Sequence, residues 1–279
     1  MAIVSAPARS PTLTLNTGAE MPQLGLGVWQ ATDGDETRAV EAALELGYRH
    51  IDTAAAYKNE AGVGRGIAKA GLPREELFVT TKVFNDRIRA REARDSALGS
   101  LERLGLDYVD LLLLHWPVDG GLEAWRALER LHDDGLARAI GVSNYMPEHL
   151  DELLAATDVV PANNQIEFHP YCQQADVVDY CRERGIAVTA WSPLMQGHFT
   201  DEPALAEIGA RHGKTPAQVL LRWDVQRGVA TIPKSTHRGR IAQNIDVFDF
   251  ALTEAEVALL DGLTRPDGRF GPDPRDFNF

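Results

Sequence analysis

The stretch YVDLLLLHWPVDGGLEAWRALERLHD, Tyr108–Asp133, decides the fold. It opens on a run of four leucines, Leu111–Leu114, which suits a strand buried on both faces. A polar break at His115 and the pair Gly120-Gly121 follow, and apolar residues then return at helical spacing over Leu122–Asp133. A strand with no polar face needs helices on both sides of its sheet, so one such unit predicts others like it.

Working outward, the same order recurs. Towards the N-terminus, Gly25–Val28 leads to a helical pattern from Gly34 to Leu46, Arg49–Ile51 to Glu60–Ala70, and Leu77–Thr81 to Arg91–Leu104. Towards the C-terminus, Ala137–Val142 leads to Pro147–Ala155, Ala162–Ile166 to Gln174–Arg184, Ile186–Ala190 to Pro203–His212 and Thr215–Gln226, and Val229–Ile232 to Arg238–Asn244. Eight strand-then-helix units close naturally into a single (β/α)8 TIM barrel, for which 279 residues is an ordinary length. The competing open, doubly wound sheet usually carries fewer units or a second domain. Gly47, Gly71, Gly105, Gly135 and Gly185 each follow a helical stretch, and Pro147 and Pro216 stand near helix starts. Leu13–Leu15, Gly18 and Met21–Gln23 read as an N-terminal β-hairpin capping the barrel's bottom. The segment after Leu263, rich in Pro, Asp, Gly and Phe, reads as a C-terminal loop tail. No internal boundary appears, so one domain over 1–279 is expected.

A formal net charge of −13 argues against nucleic acid or anionic lipid as the main partner, while leaving room for a locally basic pocket. Two cysteines, Cys172 and Cys181, are too few for a disulfide framework and lack metal-type spacing. Met1–Thr12 has no apolar core and no twin arginine, and no apolar run approaches membrane-spanning length. The expectation is a cytoplasmic protein without a metal.

In such barrels the chemistry gathers at the C-terminal strand ends. Asp52 follows Arg49–Ile51, with Tyr57 five residues on; Lys82 follows Leu77–Thr81; His115 follows Leu111–Leu114. Alone, the aspartate reads as a helix cap, the lysine as a solvated cation, the histidine as structural and the tyrosine as packing. Together, from three consecutive strands, they can converge at one mouth. A free phenol has a pKa of about 10, too high for efficient proton donation at neutral pH. A nearby ammonium favours tyrosinate and is expected to lower that value. A carboxylate keeps the ammonium charged in a desolvated site, and a histidine orients a carbonyl. The set suits protonation of a carbonyl oxygen while hydride reaches its carbon.

Several local sequences resemble the aldo-keto reductases, closest in appearance to the bacterial 2,5-diketo-D-gluconate reductases. They are Gly47-Tyr48-Arg49-His50-Ile51-Asp52-Thr53-Ala54 with Tyr57, Asn59 and Glu60; Leu113-Leu114-His115-Trp116-Pro117; Gly141-Val142-Ser143-Asn144; Asn164-Gln165-Ile166-Glu167; and Ile232-Pro233-Lys234-Ser235. The resemblance spans about Leu13 to Leu263 and implies NADPH-dependent reduction of aldehydes and ketones by a monomer. It makes Tyr57 the general acid, Lys82 and Asp52 its tuning pair, and His115 the carbonyl-orienting group. Ser143, Asn144 and Gln165 would hold the nicotinamide carboxamide, Trp191 would stack on the ring, and Ser192 and Leu194 would also contact the cofactor. Core packing is the other reading of Trp191.

Lys234, Ser235, Thr236 and Arg240 follow the eighth strand and open a helix, the usual phosphate site of a barrel. The two cations favour the 2′-phosphate of NADPH/NADP+ over NADH. Arg238 and Arg240 can also be read as a solvated helix face; only Arg240 matches the family position, so Arg238 stays outside the site, and Gln243 and Asn244 would read adenine. Gln243 stands where the family often has Glu, Trp191 where tyrosine is frequent, and Phe84 where tryptophan is common in the closest group. Trp29, Phe84 and Trp116 would line the substrate pocket beside a short loop at Val118–Gly121, giving an open site for varied carbonyls, 2,5-diketo-D-gluconate and related α-dicarbonyls among them. The tail either folds over the pocket, bringing Phe270, Phe277 and Phe279 to the substrate, or lies loosely on the surface. Gly62, Gly64 and Gly66 follow no strand and read as helix packing rather than a nucleotide loop. Two other functions compete: a nucleotide-sensing binding protein with little turnover, and a metal-dependent hydrolase, which would need more His, Asp or Glu at the strand ends.

Overall fold

The computed structural model of the protein describes residues 10–200 and 202–276. A hairpin of β1 (Thr12–Thr14) and β2 (Glu20–Pro22) precedes eight parallel strands: β3 (Leu26–Gly27), β4 (His50–Asp52), β5 (Phe78–Val83), β6 (Val109–Leu114), β7 (Ala137–Ser143), β8 (Asn163–Glu167), β9 (Ala187–Trp191) and β10 (Ala230–Thr231). Each strand hydrogen-bonds its sequence neighbour, β3 to β4 and so on to β10. The two edges then meet: Gly25 and Gly27 donate to the carbonyls of Thr231 and Pro233 at 2.9 and 3.2 Å, closing the barrel. Closure demands a glycine, because a Cβ on Gly27 would stand 2.7 Å from the carbonyl oxygen of Ile232.

Between the strands run α1 (Asp35–Glu45), α2 (Glu60–Ala70), α3 (Asn85–Arg89), α4 (Ala93–Leu104), α5 (Gly121–Asp133), α6 (Pro147–Leu154), α7 (Ala175–Glu183), α8 (Pro203–His212), α9 (Pro216–Gln226), α10 (Arg238–Ile245) and α11 (Glu254–Asp261). Helix α9 starts where Thr215-Pro216 predicts, with Thr215 Oγ1 accepting from Gln218 N and Gln218 Oε1 accepting from Thr215 N. Helix α3 was not expected; Arg91, at φ 58°, separates it from α4.

The four leucines of β6 divide between two cores. Leu111 and Leu113 join Leu15, Met21, Phe78, Ala139, Ala162 and Ala230 inside the barrel, where the β1–β2 hairpin supplies the plug. Leu112 and Leu114 join the larger layer between strands and helices. Each fully buried leucine is worth roughly 1.5–3 kcal/mol of transfer free energy. From Leu111 onward a period-2 strand with both faces covered therefore leaves no polar position until the chain leaves the barrel at His115. Gly64 and Gly66 do pack helices: a Cβ there would meet the Leu104 carbonyl oxygen at 2.2 Å and the Thr37 carbonyl oxygen at 2.8 Å. Among the described residues no helix is long and apolar enough to cross a membrane.

Candidate active site

Asp52 ends β4, Lys82 lies near the end of β5, His115 follows β6, and Tyr57 sits on a 3-10 turn, Ala55–Tyr57, just beyond β4. All four meet at the C-terminal mouth. The Lys82 side chain is wholly enclosed. Its ammonium donates to Asp52 Oδ1 at 2.5 Å and to the Thr53 carbonyl at 2.9 Å, and stands 3.5 Å from the Tyr57 hydroxyl. The Tyr57 and His115 rings meet edge to face with centroids 5.9 Å apart, and Phe84 packs on the other side of His115 at 5.6 Å.

Two residues just after Tyr57, Asn59 and Glu60, hold this turn. Asn59 Nδ2 donates to the carbonyls of Val28 and Ala31 at 2.9 and 3.0 Å, while its Oδ1 accepts from Thr53 Oγ1. That ties the loop bearing Trp29 to the turn bearing Tyr57. Glu60 accepts from Thr81 Oγ1 at 2.6 Å and from Arg103, fixing β5 beside Lys82. A buried amide and a buried acid need partners, but nothing in the sequence beside Tyr57 says that Asn59 and Glu60 are buried.

The electrostatics correct one expectation. Burial raises the Tyr57 phenol above its ordinary value; Lys82 pulls it down but does not win. Burial also opposes the Lys82 charge, yet Asp52 and Tyr57 outweigh it, and the net direction is up. Burial and the Lys82 charge together hold His115 well below its ordinary value. At neutral pH the mouth therefore contains a protonated phenol, a charged ammonium and a neutral imidazole whose Nδ1 is buried without a partner among the described residues.

The groups expected at the nicotinamide are wired to this set. Gln165 Nε2 donates to Asp52 Oδ2 at 2.8 Å, and Ser143 Oγ donates to the Gln165 carbonyl at 2.7 Å. Asn144 adopts a left-handed backbone, φ 65°, and its amide donates to the His115 carbonyl and to Ser143 Oγ, both at 3.0 Å. Half-buried Trp191 donates its indole N–H to Asn144 Oδ1 at 2.8 Å. Ser192, also left-handed, and Leu194 follow it, half-buried.

Across the mouth, Lys234, Arg240 and Gln243 are exposed, Thr236 is half-buried, and Ser235 and Asn244 are buried. Ser235 Oγ accepts from His237 N at 3.1 Å. Arg238 is spent on Glu45 at 2.5 Å, whereas neither Lys234 nor Arg240 has an ion-pair partner among the described residues. Two cations left over in a chain of net charge −13, beside the start of α10, fit a phosphate-bearing cofactor. An aromatic face and amide groups at the other end fit its nicotinamide.

Of the substrate-pocket residues, Trp29 is 47% exposed on the rim, Phe84 is half-buried against His115, and Trp116 is buried. The tail is not loose over its described length. The backbone amides of Phe270 and Gly271 donate to Glu167 Oε1 and Oε2 at 2.6 and 3.0 Å, which lays it across the end of β8. Phe277 and Phe279 lie outside the described residues. No group of three or more His, Cys, Asp or Glu able to hold a metal occurs among the described residues.

Comparison with known proteins gives a family and a fold. The sequence model of the Aldo/keto reductase family matches residues 23–265. The chain is 50% identical over 270 residues to the glyoxal reductase of Bacillus subtilis, covering 96% of this chain and 98% of that one. The crystal structure of Gox0644 in its apo form superposes with a TM-score of 0.92 at 39% identity, covering 98% and 100% of the two chains. A Bombyx mori aldo-keto reductase in complex with NADP gives a TM-score of 0.86 at 40% identity, covering 92% and 94%.

Proposed function

The chain belongs to the aldo/keto reductase family of NADP-dependent oxidoreductases, and from that premise we propose that it reduces small aldehydes, ketones and α-dicarbonyls with Tyr57 as proton donor. The observation that carries this reading is the enclosed Lys82 ammonium, shared between Asp52 at 2.5 Å and the Tyr57 hydroxyl at 3.5 Å.

NADPH, when bound, supplies the hydride that the carbonyl carbon receives. Trp191 would offer it a flat face, Ser143, Asn144 and Gln165 would hold its carboxamide, and Lys234, Ser235, Thr236 and Arg240 would take its phosphate, with Ser192, Leu194, Gln243 and Asn244 as further contacts. Neutral His115 hydrogen-bonds the carbonyl oxygen and orients it; a charged imidazole beside Lys82 would cost two like charges in a closed site. As negative charge develops on that oxygen, Tyr57 transfers its phenolic proton to it. The raised phenol is a poor acid in the resting site, so the phenolate needs a stabiliser at the moment it forms. Lys82 is that stabiliser, and Asp52 keeps it charged within the barrel. Lys82 thus acts on the product of proton transfer more than on the resting tyrosine.

The rim supports this substrate class, since Phe84 against His115 and exposed Trp29 offer apolar faces. The relative named glyoxal reductase favours α-dicarbonyls among the candidates, with 2,5-diketo-D-gluconate a further one. A single barrel over 1–279, working as a monomer, completes the proposal.

The test is NADPH oxidation at 340 nm with methylglyoxal, phenylglyoxal, 2,5-diketogluconate and simple aldehydes. Turnover is expected, fastest with the dicarbonyls. Tight NADPH binding without turnover of any member would overturn the reading in favour of a nucleotide sensor.

A further inference from the structure

Glu167 ends β8, paired in register with Trp191 at the end of β9, and its carboxylate is wholly buried. A buried charge must be matched by donors. Here the donors are Phe270 N at 2.6 Å and Gly271 N at 3.0 Å from the C-terminal tail, with His169 Nε2 at 3.1 Å, and the Arg269 guanidinium adds its charge from 3.7 Å without a hydrogen bond. These contacts join residues 103 and 104 positions apart.

The clamp sets what lies against Trp191. Gly271 passes so close that a Cβ on it would stand 2.3 Å from Trp191 Cη2 and 3.2 Å from Glu167 Oε2. The opposite edge of the indole is held by its N–H bond to Asn144, whose amide also bonds the His115 carbonyl. One residue before Gly271, Phe270 stacks on His198 at 4.7 Å and 8°, in the loop that follows Ser192 and Leu194. Tail backbone, indole, Asn144 and the His115 backbone form one continuous line of contact.

We propose that Glu167 is a positioning residue. By clamping Phe270–Gly271 it fixes the plane of Trp191, and so sets affinity for the nicotinamide end of the cofactor. The inference rests on the proposed role of Trp191 as the stacking face. It explains why a buried acid stands where no reacting group is needed. It also gives the tail a task directed at the cofactor.

The experiment is calorimetric titration with NADPH of wild type, Gly271→Ala, Glu167→Gln and Glu167→Ala, with Gly271→Ala repeated in a Trp191→Ala background. Gly271→Ala leaves the buried acid in place, so it remains informative if Glu167→Ala does not fold. Forcing a methyl into this contact displaces the indole and is expected to raise Kd about tenfold, with a Tm that falls by a few degrees. Glu167→Ala should weaken binding more, and Glu167→Gln, which keeps one acceptor oxygen, less. In the Trp191→Ala background the Gly271→Ala effect should vanish, because there is no indole left to displace. An equal effect in both backgrounds, or an unchanged Kd for Gly271→Ala, overturns the clamp while leaving the reductase reading intact. Trp191→Ala binding NADPH as tightly as wild type would overturn the stacking role and the clamp with it.

Discussion

Two buried carboxylates, at opposite ends of the same barrel, are paired in different ways. Asp110, near the start of β6, accepts from Val79 N at 2.8 Å, Arg74 at 2.6 Å and Arg138 at 3.4 Å, and the two guanidiniums sandwich Tyr108 at 4.1 Å each. Asp52, at the end of β4, is shared by Lys82 and Gln165. The cations at Asp110 are arginines that reach water, and what they hold besides the carboxylate is the ring face of Tyr108. The cation at Asp52 is an enclosed lysine with a phenol 3.5 Å away. The difference separates holding from reacting. A saturated pair fixes strands; a pair that leaves charge facing a neutral, raised acid is arranged for a proton to leave that acid.

Three changes would break this comparison. Tyr57→Phe, the largest, removes the proton donor and leaves both ion pairs. Aldehyde turnover should fall by roughly 10²–10⁴-fold, the worth of a general acid, with Tm and NADPH affinity unmoved. Near-wild-type turnover would show that another group protonates the oxygen. The second concerns His50, between the two sites, with its ring nitrogens on the Pro22 carbonyl and Thr80 Oγ1. Burial pushes it from 6.5 down to about 4. Below pH 6.5 the unfolded chain takes up a proton that the folded chain refuses. Stability should therefore fall from pH 6.5 to about 4, by about 3 kcal/mol from this group. Urea unfolding of His50→Gln should lack that part of the acid loss; parallel pH curves would refute it. The third, Asp110→Asn, should cost about 2 kcal/mol in urea unfolding, less than the loss for a fully enclosed pair because Arg138 is half exposed. Its kcat should be unchanged, and a large kcat loss would mean that the two ends are not separate.

What could be read from the sequence follows the range of the interactions. Leu111–Leu114 announces a strand with two buried faces, and Asp52, Lys82 and His115 stand out because each directly follows an apolar run. Gly64 and Gly66 are legible as packing because no strand precedes them. The direction of the Tyr57 shift was not, since the opposing contributions of burial and Lys82 depend on how deeply the turn is enclosed. Nor was the use of Gln165 on Asp52, 113 residues away, or of Glu167 on the tail, since nothing local distinguishes a buried acceptor from a solvated one. Helix α3 was not legible because a five-residue run, Asn85–Arg89, with Ile88 as its one apolar residue is too short to carry a helical period.

The smallest effect belongs to an exposed cation at the mouth and extends the comparison outside the barrel. Lys234 has no acid partner among the described residues, so it is neither a saturated pair like Arg74 nor an enclosed charge like Lys82. If it waits for the 2′-phosphate, Lys234→Ala should raise the Kd for NADPH several-fold, leave kcat at saturating cofactor unchanged, and leave the Kd for NADH where it was. Its charge is screened by salt over about 10 Å at 0.1 M and about 3 Å at 1 M. Wild-type NADPH affinity should accordingly weaken with added salt more steeply than that of the variant. The buried Lys82–Asp52 pair, shut away from ions, predicts no matching salt dependence of the chemical step. Equal losses for NADPH and NADH would show that Lys234 serves the pyrophosphate or the fold instead, and cofactor preference would then rest on Arg240.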